Sequence, residues 1–209
     1  MRENWDGVLQ PALVQHVQLT LIAVAIGFAL AFVAALLAHR NGAFERPVAT
    51  FSAFVYTIPS IALFQLLVPF TGLGLLTVEV ALVGYTLLIL FHNILVGLRA
   101  APPEVLEAAR GMGLTRRQTL VRVELPLALP AIVAGLRIAT VSTISLATIA
   151  AVVVPQGLGR PILAALRDYF KTEIVAAAAL AIALALVADA LLVLAQRALT
   201  PWAARRSAT

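Results

Sequence analysis

The sequence contains no cysteine, which excludes disulfides, thiolate nucleophiles and thiolate metal sites. Lysine is almost missing: Lys171 is the only one, and no G-x-x-x-x-G-K-[ST] segment occurs in the 209 residues. The chain therefore has no recognisable nucleotide site. Its three histidines are scattered and make no metal-binding cluster. Charged residues reach only 12%, against about a quarter in soluble domains. Those within the apolar runs are few and separated, with no paired acids and no nucleophile beside a base. An intramembrane protease or transferase needs such a grouping, so no catalytic residue is expected.

What the chain has is apolar length. It is 62% hydrophobic with a mean hydropathy of +1.00, the composition of an integral membrane protein. A pI near 10.7 invites a nucleic-acid reading, but the basic residues lie mainly between apolar runs, where membrane orientation accounts for them. Five spans are expected, at about 13–38, 48–70, 75–98, 127–154 and 173–199. Each can cross a hydrocarbon layer about 30 Å thick. The whole chain, 1–209, then forms one all-α transmembrane domain with the lipid bilayer as its solvent. No small-residue cleavage site follows a short apolar core at the start, so the first span is expected to direct insertion itself.

Residues 1–12 read as an interfacial lead-in anchored by Trp5, with Gln15, His16 and Gln18 also interfacial. In the second span, Pro59 within Thr57-Ile58-Pro59-Ser60 frees a carbonyl and kinks the helix. That bend is either a packing kink satisfied by hydroxyls or, with Tyr56, Pro59 and Ser60, part of a pathway. Tyr85, Phe64 and Phe91 are further aromatic candidates for a lining, though membrane aromatics are more often packing residues. Glu79 lies near the end of the third span and should reach headgroups or water. The fourth span carries Thr140, Ser142, Thr143, Ser145 and Thr148 pointing several ways at 100° per residue, with Ser142 and Ser145 as pathway candidates. Gly157 and Gly159 break the chain as a hinge. An amphipathic surface helix follows from Pro161 to about Phe170, with Ile162, Leu163, Leu166 and Phe170 on one side. The tail from Pro201 to Thr209 is short and basic.

The most polar segment joins the third and fourth spans, residues 101–126. Pro102 and Pro103 suit a first helical turn, with Glu104 and Glu107 near its positive end. Arg110 comes near the C-terminus, and Gly111 or Gly113 takes the left-handed turn. Thr115-Arg116-Arg117-Gln118 fits a capping box opening a second short helix that ends before Pro126. The product is a compact helix-turn-helix knob held in water. Arg116 and Arg117 after the turn invite a DNA-binding reading, but helices this short, tethered to membrane spans at both ends, argue against it.

The knob resembles the EAA loop of ABC-importer permease subunits. The matching positions are Glu107, Ala108, Ala109, Gly113, Val123, Leu125 and Pro126, with Val123 standing where that family usually has Ile. The resemblance implies an all-α fold of the type I importer kind and a coupling role for Glu107, Ala108, Ala109, Gly111, Met112, Gly113 and Leu114. It also implies ATPase partner subunits that bind ATP and Mg, a second permease (the same chain or a sister) and an extracytoplasmic solute-binding protein. His16-Val17-x-Leu19-Thr20, Thr57-Ile58-Pro59-Ser60, Gly111-Met112-Gly113, the run from Glu124 to Pro130 and Gly157-Leu158-Gly159 look like permeases of the osmoprotectant branch. That branch handles glycine betaine, choline, carnitine and similar solutes in bacterial or archaeal cytoplasmic membranes. The alternatives are a permease for another small solute, such as an amino acid, and a small channel or secondary transporter using Asp189, Glu79 and His92 as an ion relay.

Orientation follows from charge. With the knob cytoplasmic, that side holds ten basic residues: Arg40, Arg46, Arg99, Arg110, Arg116, Arg117, Arg122, Arg197, Arg205 and Arg206. The other side holds four, Arg2, Arg160, Arg167 and Lys171, which puts the N-terminus outside and the C-terminus cytoplasmic. Arg137 remains inside a span. It lies eleven residues after Pro126 and Asp189 ten before Leu199, about 16 and 15 Å from the same end at 1.5 Å per residue. Charges at that depth need partners, so an intramembrane ion pair is expected, either a clasp between two spans or a pathway pair that rearranges.

Overall fold

The structure is a computed structural model, described here over residues 5–201; Arg2, Arg205 and Arg206 of the charge count lie outside the described residues. A π-helical turn, Trp5–Leu9, runs directly into α1, Gln10–Arg40. Trp5 is therefore part of a continuous helical rod. Pro11 follows the π-helical turn, whose wider winding accommodates its missing N–H.

The expected second span is broken in two. Helix α2, Glu45–Thr57, and α3, Ser60–Thr71, meet at 103°. With 13 and 12 residues they reach roughly 20 and 18 Å, each short of the about 30 Å of hydrocarbon. The cause lies in two adjacent residues. Ile58, preceding a proline, is forced to extended backbone (φ −69°, ψ 128°), and Pro59 follows suit (ψ 135°). A lone mid-helix proline would only kink; two extended residues turn the corner. The freed Ile58 carbonyl accepts from the Tyr85 hydroxyl at 2.5 Å, and the Tyr85 ring stands edge-on to Tyr56 at 5.9 Å.

Helix α4, Leu75–Leu98, is the central element, packed by α1, α2, α3 and α7. After the knob comes α7, Leu125–Ala150, then α8, Gly159–Arg167, and α9, Lys171–Leu199. Among the described residues four helical rods are long and apolar enough to cross a membrane, or five with the bent pair counted as one traverse. Helix α7 ends four residues earlier than expected: Pro155 disfavours helix at Val154, and the N–H groups of Val152, Val153 and Val154 close as turns onto the carbonyls of Ile149 and Ala150.

Glycines let the rods touch. A Cβ at Gly27 of α1 would lie 1.9 Å from Thr86 Oγ1 of α4, and one at Gly135 of α7 would lie 2.6 Å from Asn93 Cβ. A Cβ at Gly97 of α4 would stand 3.0 Å from the Ala128 carbonyl of α7. Between spans in lipid there is no hydrophobic drive, so such close approach supplies the cohesion. Two apolar cores result. One surrounds Leu19, Phe64, Leu82 and Tyr85; the other surrounds Ala35, Leu90, Ile94 and Ala128, nearer the knob.

Two polar expectations fail for the same reason, coverage by neighbouring helices. Glu79 is buried, with both carboxylate oxygens unpartnered, because one turn into the central helix is already enclosed. His16 is completely buried and not interfacial. The Leu158 N–H donates to its Nδ1 at 3.1 Å, which leaves Nε2 to carry the proton and donate to the Ile144 carbonyl at 3.0 Å. Gln15 beside it accepts from the Gly157 N–H at 2.9 Å.

Substituting Gly27→Ala should destabilise the fold by about 1–3 kcal/mol through overpacking. Adding Thr86→Ala should recover most of that loss in detergent unfolding curves. Equal midpoints for wild type and Gly27→Ala would show that the helices do not depend on this contact.

Candidate functional site

The knob opens with α5, Pro103–Gly111, which starts after extended Pro102 and places Glu104 in its first turn and Arg110 in its last. Gly113, not Gly111, is the left-handed residue, at φ +79°. Around it the Leu114 N–H returns to the Ala109 carbonyl at 3.1 Å and the Gly113 N–H to Arg110 at 2.9 Å, the paired bonds of a glycine-terminated helix. Helix α6, Arg116–Thr119, is opened by a complete capping box: Thr115 Oγ1 accepts from the Gln118 N–H, and Gln118 Oε1 accepts from the Thr115 N–H at 2.8 Å.

The second knob helix does not end before Pro126. A π-helical turn, Leu120–Glu124, carries it straight into α7. Pro126 falls within the first positions of α7, and the wider turn before it absorbs the missing donor. The knob is thus a rigid extension of α7. A hydrogen bond and an ion pair brace its base: His39 Nε2 lies 2.9 Å from Glu124 Oε2, and Arg99 makes a two-pronged contact with Glu45 at 2.7 and 3.0 Å. Hydrogen bonding from Arg99 holds the Glu45 carboxyl below its ordinary pKa.

Most of the seven expected knob residues are exposed. Glu107, Ala108, Gly111 and Gly113 face outward, and Met112 is 72% exposed. Leu114 is half-buried. Ala109 is buried, so only its backbone takes part; its small side chain lets the two knob helices close on each other. Val105, 40% exposed, was missed by motif matching. With Ala108 and Met112 it forms an apolar strip at i, i+3 and i+7, a spacing readable in the sequence.

Between α7 and the outer helix α9, Arg137 and Asp189 stand together. Arg137 Nε donates to Asp189 Oδ1 at 2.8 Å and Nη2 to Oδ2 at 3.0 Å. The pair borders a cleft of about 870 Å³ between α7 and α9, into which Ser142 and Ser145 also open. Ser145 and Thr148 donate back to the carbonyls of Val141 and Ile144, so these hydroxyls are satisfied within their own helix. Tyr56, Pro59 and Ser60 sit at the α2–α3 corner and do not line this cleft. Gly157 and Gly159, the expected hinge glycines, both stand in close contact with neighbouring atoms. Gly157 has φ +57° and leaves no room for a Cβ against His16, while a Cβ on Gly159 would meet the Thr148 carbonyl at 2.1 Å. The amphipathic helix starts at Gly159 and ends at Arg167, earlier than the expected Phe170: α8 buries Gly159, Pro161 and Ala165, while Leu166 and Phe170 are exposed. Among the described residues no three acidic or histidine side chains converge as metal ligands.

Residues 23–205 match the family described as the binding-protein-dependent transport system inner membrane component. The chain belongs to this family. The carnitine transport permease protein OpuCB of Listeria monocytogenes is 34% identical over 193 residues, covering 92% of this chain and 88% of its own. The osmoprotectant import permease protein OsmW of Salmonella typhimurium is 36% identical over 200 residues, 93% of each. Among solved structures, an inward-facing form of the MetNI methionine ABC transporter superposes with a TM-score of 0.84 at 22% identity, covering 96% of this chain and 100% of that one. At that identity the likeness establishes the fold: an all-α membrane protein of the type I ABC-importer permease kind. The family is a transport component and not a catalytic subunit.

The Arg99–Glu45 contact should show a pH signature. Glu45 has its pKa lowered in the folded state, so the stability it contributes is present above its ordinary pKa and is lost as pH falls through the lowered one. Thermal midpoints of wild type and Glu45→Gln should differ at neutral pH and converge in acid. A gap that persists in acid would assign the loss to packing and not to charge.

Proposed function

We propose that this chain is the permease subunit of an ATP-driven importer that moves a small osmoprotectant, such as glycine betaine, choline or carnitine, through the cytoplasmic membrane by alternating access. The observation that carries the reading is the knob: a rigid, braced extension of a membrane helix that presents a bare apolar strip to water. An exposed Met112 flanked by Val105 and Ala108 is unfavourable alone and favourable once covered. The cover is a separate ATPase subunit, which binds ATP and Mg and hydrolyses the nucleotide. Glu107, Ala108, Gly111, Met112, Gly113 and Leu114 form or shape that contact, and Ala109 holds its turn. Continuity of α6 with α7 lets a displacement of the knob pass into the membrane without a flexible joint.

A second permease and an external solute-binding protein complete the assembly, in keeping with a family defined by dependence on a binding protein. The relatives' names supply the solute class. The knob is cytoplasmic, the N-terminus outside and the C-terminus inside. Among the described residues the knob side carries Arg40, Arg46, Arg99, Arg110, Arg116, Arg117, Arg122 and Arg197, against Arg160, Arg167 and Lys171 opposite.

Reconstituted with its ATPase and candidate binding proteins, the permease should give solute-stimulated ATP hydrolysis and uptake. Gly113→Val forces a β-branched residue into positive φ and should uncouple hydrolysis from solute while insertion persists. Normal coupling in that variant would count against the knob's role. Cysteines placed at Arg160 and Arg167 should react with an impermeant maleimide from outside. Labelling from the cytoplasm alone would invert the topology.

A further inference from the structure

The Arg137–Asp189 pair is more open than a clasp needs to be. Its side chains are 34% and 36% exposed, and both border the cleft between α7 and α9. Only Nε and Nη2 of the guanidinium are engaged, one bond each. The remaining N–H groups, both on Nη1 among them, have no acceptor among the described residues, and each Asp189 oxygen accepts from one donor only. An ion pair with spare donors and acceptors, set beside an apolar cavity about midway along two membrane spans, is half of a four-charge arrangement.

We propose that this pair is a transient binding site for a zwitterion, whose carboxylate lies on the free edge of Arg137 and whose ammonium lies against Asp189. This deepens the importer reading and rests on it for the cleft being part of the route. The selection rule comes from charge. The pair sums to zero, so an incoming zwitterion adds no net charge to a low-dielectric space, and its dipole can align against that of the pair. A simple cation brings a positive charge that Asp189 cannot neutralise while it still serves Arg137. Glycine betaine and carnitine are zwitterions and choline is a cation, so the site separates members of one solute class. None of the side chains lining the cleft is aromatic, so no cation–π cage holds the ammonium tightly. Weak, charge-matched contact suits a passage that must release what it admits.

The test exploits a chain without cysteine. Ala185 lines the cleft one turn before Asp189 on α9, and Ala185→Cys places the chain's one thiol there. In the full importer complex in nanodiscs, alkylation of this chain is followed by mass. Saturating glycine betaine should slow the reaction by about tenfold, and choline at the same concentration should not. The paired neutral variant Arg137→Gln with Asp189→Asn strands no charge and should abolish the protection. Equal protection by choline, or protection that survives in the neutral pair, overturns the proposal. If the neutral pair does not assemble, the betaine–choline comparison in the Ala185→Cys protein decides alone. An α-amino acid that protects where betaine fails would keep the zwitterion site and sink the osmoprotectant reading. Osmoprotectant uptake with no protection by any zwitterion would sink the site and leave that reading standing.

Discussion

Everything else in the molecule hangs on the close approach of α4 to α1 and α7. Lipid tails are as apolar as leucine, so spans gain nothing by hiding leucines from them; they gain by touching. Gly27 against Thr86, Gly97 against Ala128 and Gly135 against Asn93 bring three backbones together along the length of α4. Half of the apolar window of α4 is buried by this arrangement, against 6% of that of α9. The molecule is therefore a three-rod body with thinly attached outer parts. The bent pair α2–α3 leans on it through the Tyr85 hydroxyl, and α9 leans on it through Arg137.

At the end opposite the knob, the body is locked by one imidazole. His16 uses its two nitrogens on different elements, accepting from Leu158 after α7 and donating to Ile144 within it. That double use fixes where α8 begins, and it explains why no side chain fits at Gly157, whose Cβ would fall 2.6 Å from His16 Nδ1. The outer turn is a packed joint.

At the other end, the knob inherits the stiffness of α7. Its turn is fixed by one left-handed glycine and one capping box, and its base by His39–Glu124 and Arg99–Glu45. The glycine turn and the box are local in sequence, whereas the two contacts at the base join residues 85 and 54 positions apart. The cleft beside Arg137 lies on the same helix that the knob extends.

The sequence by itself determined the class, the apolar length of four helical rods and the turn of the knob. Spans are set by apolar length, and the knob by Pro103, Gly113 and the Thr115–Gln118 box, whose partners lie within a few residues of one another. The likeness of depth between Arg137 and Asp189 was also legible, because helical rise is constant. Only the tertiary structure decided what depended on neighbours distant in sequence. Burial of Glu79 and His16 follows from which helices cover them, and no periodicity states that. The 103° corner needed two extended residues held by a tyrosine twenty-seven positions away, where proline alone announced a kink. Gly157 and Gly159 read as freedom in the sequence and are contact in the fold, since the same missing Cβ serves both and only the approaching atoms distinguish them.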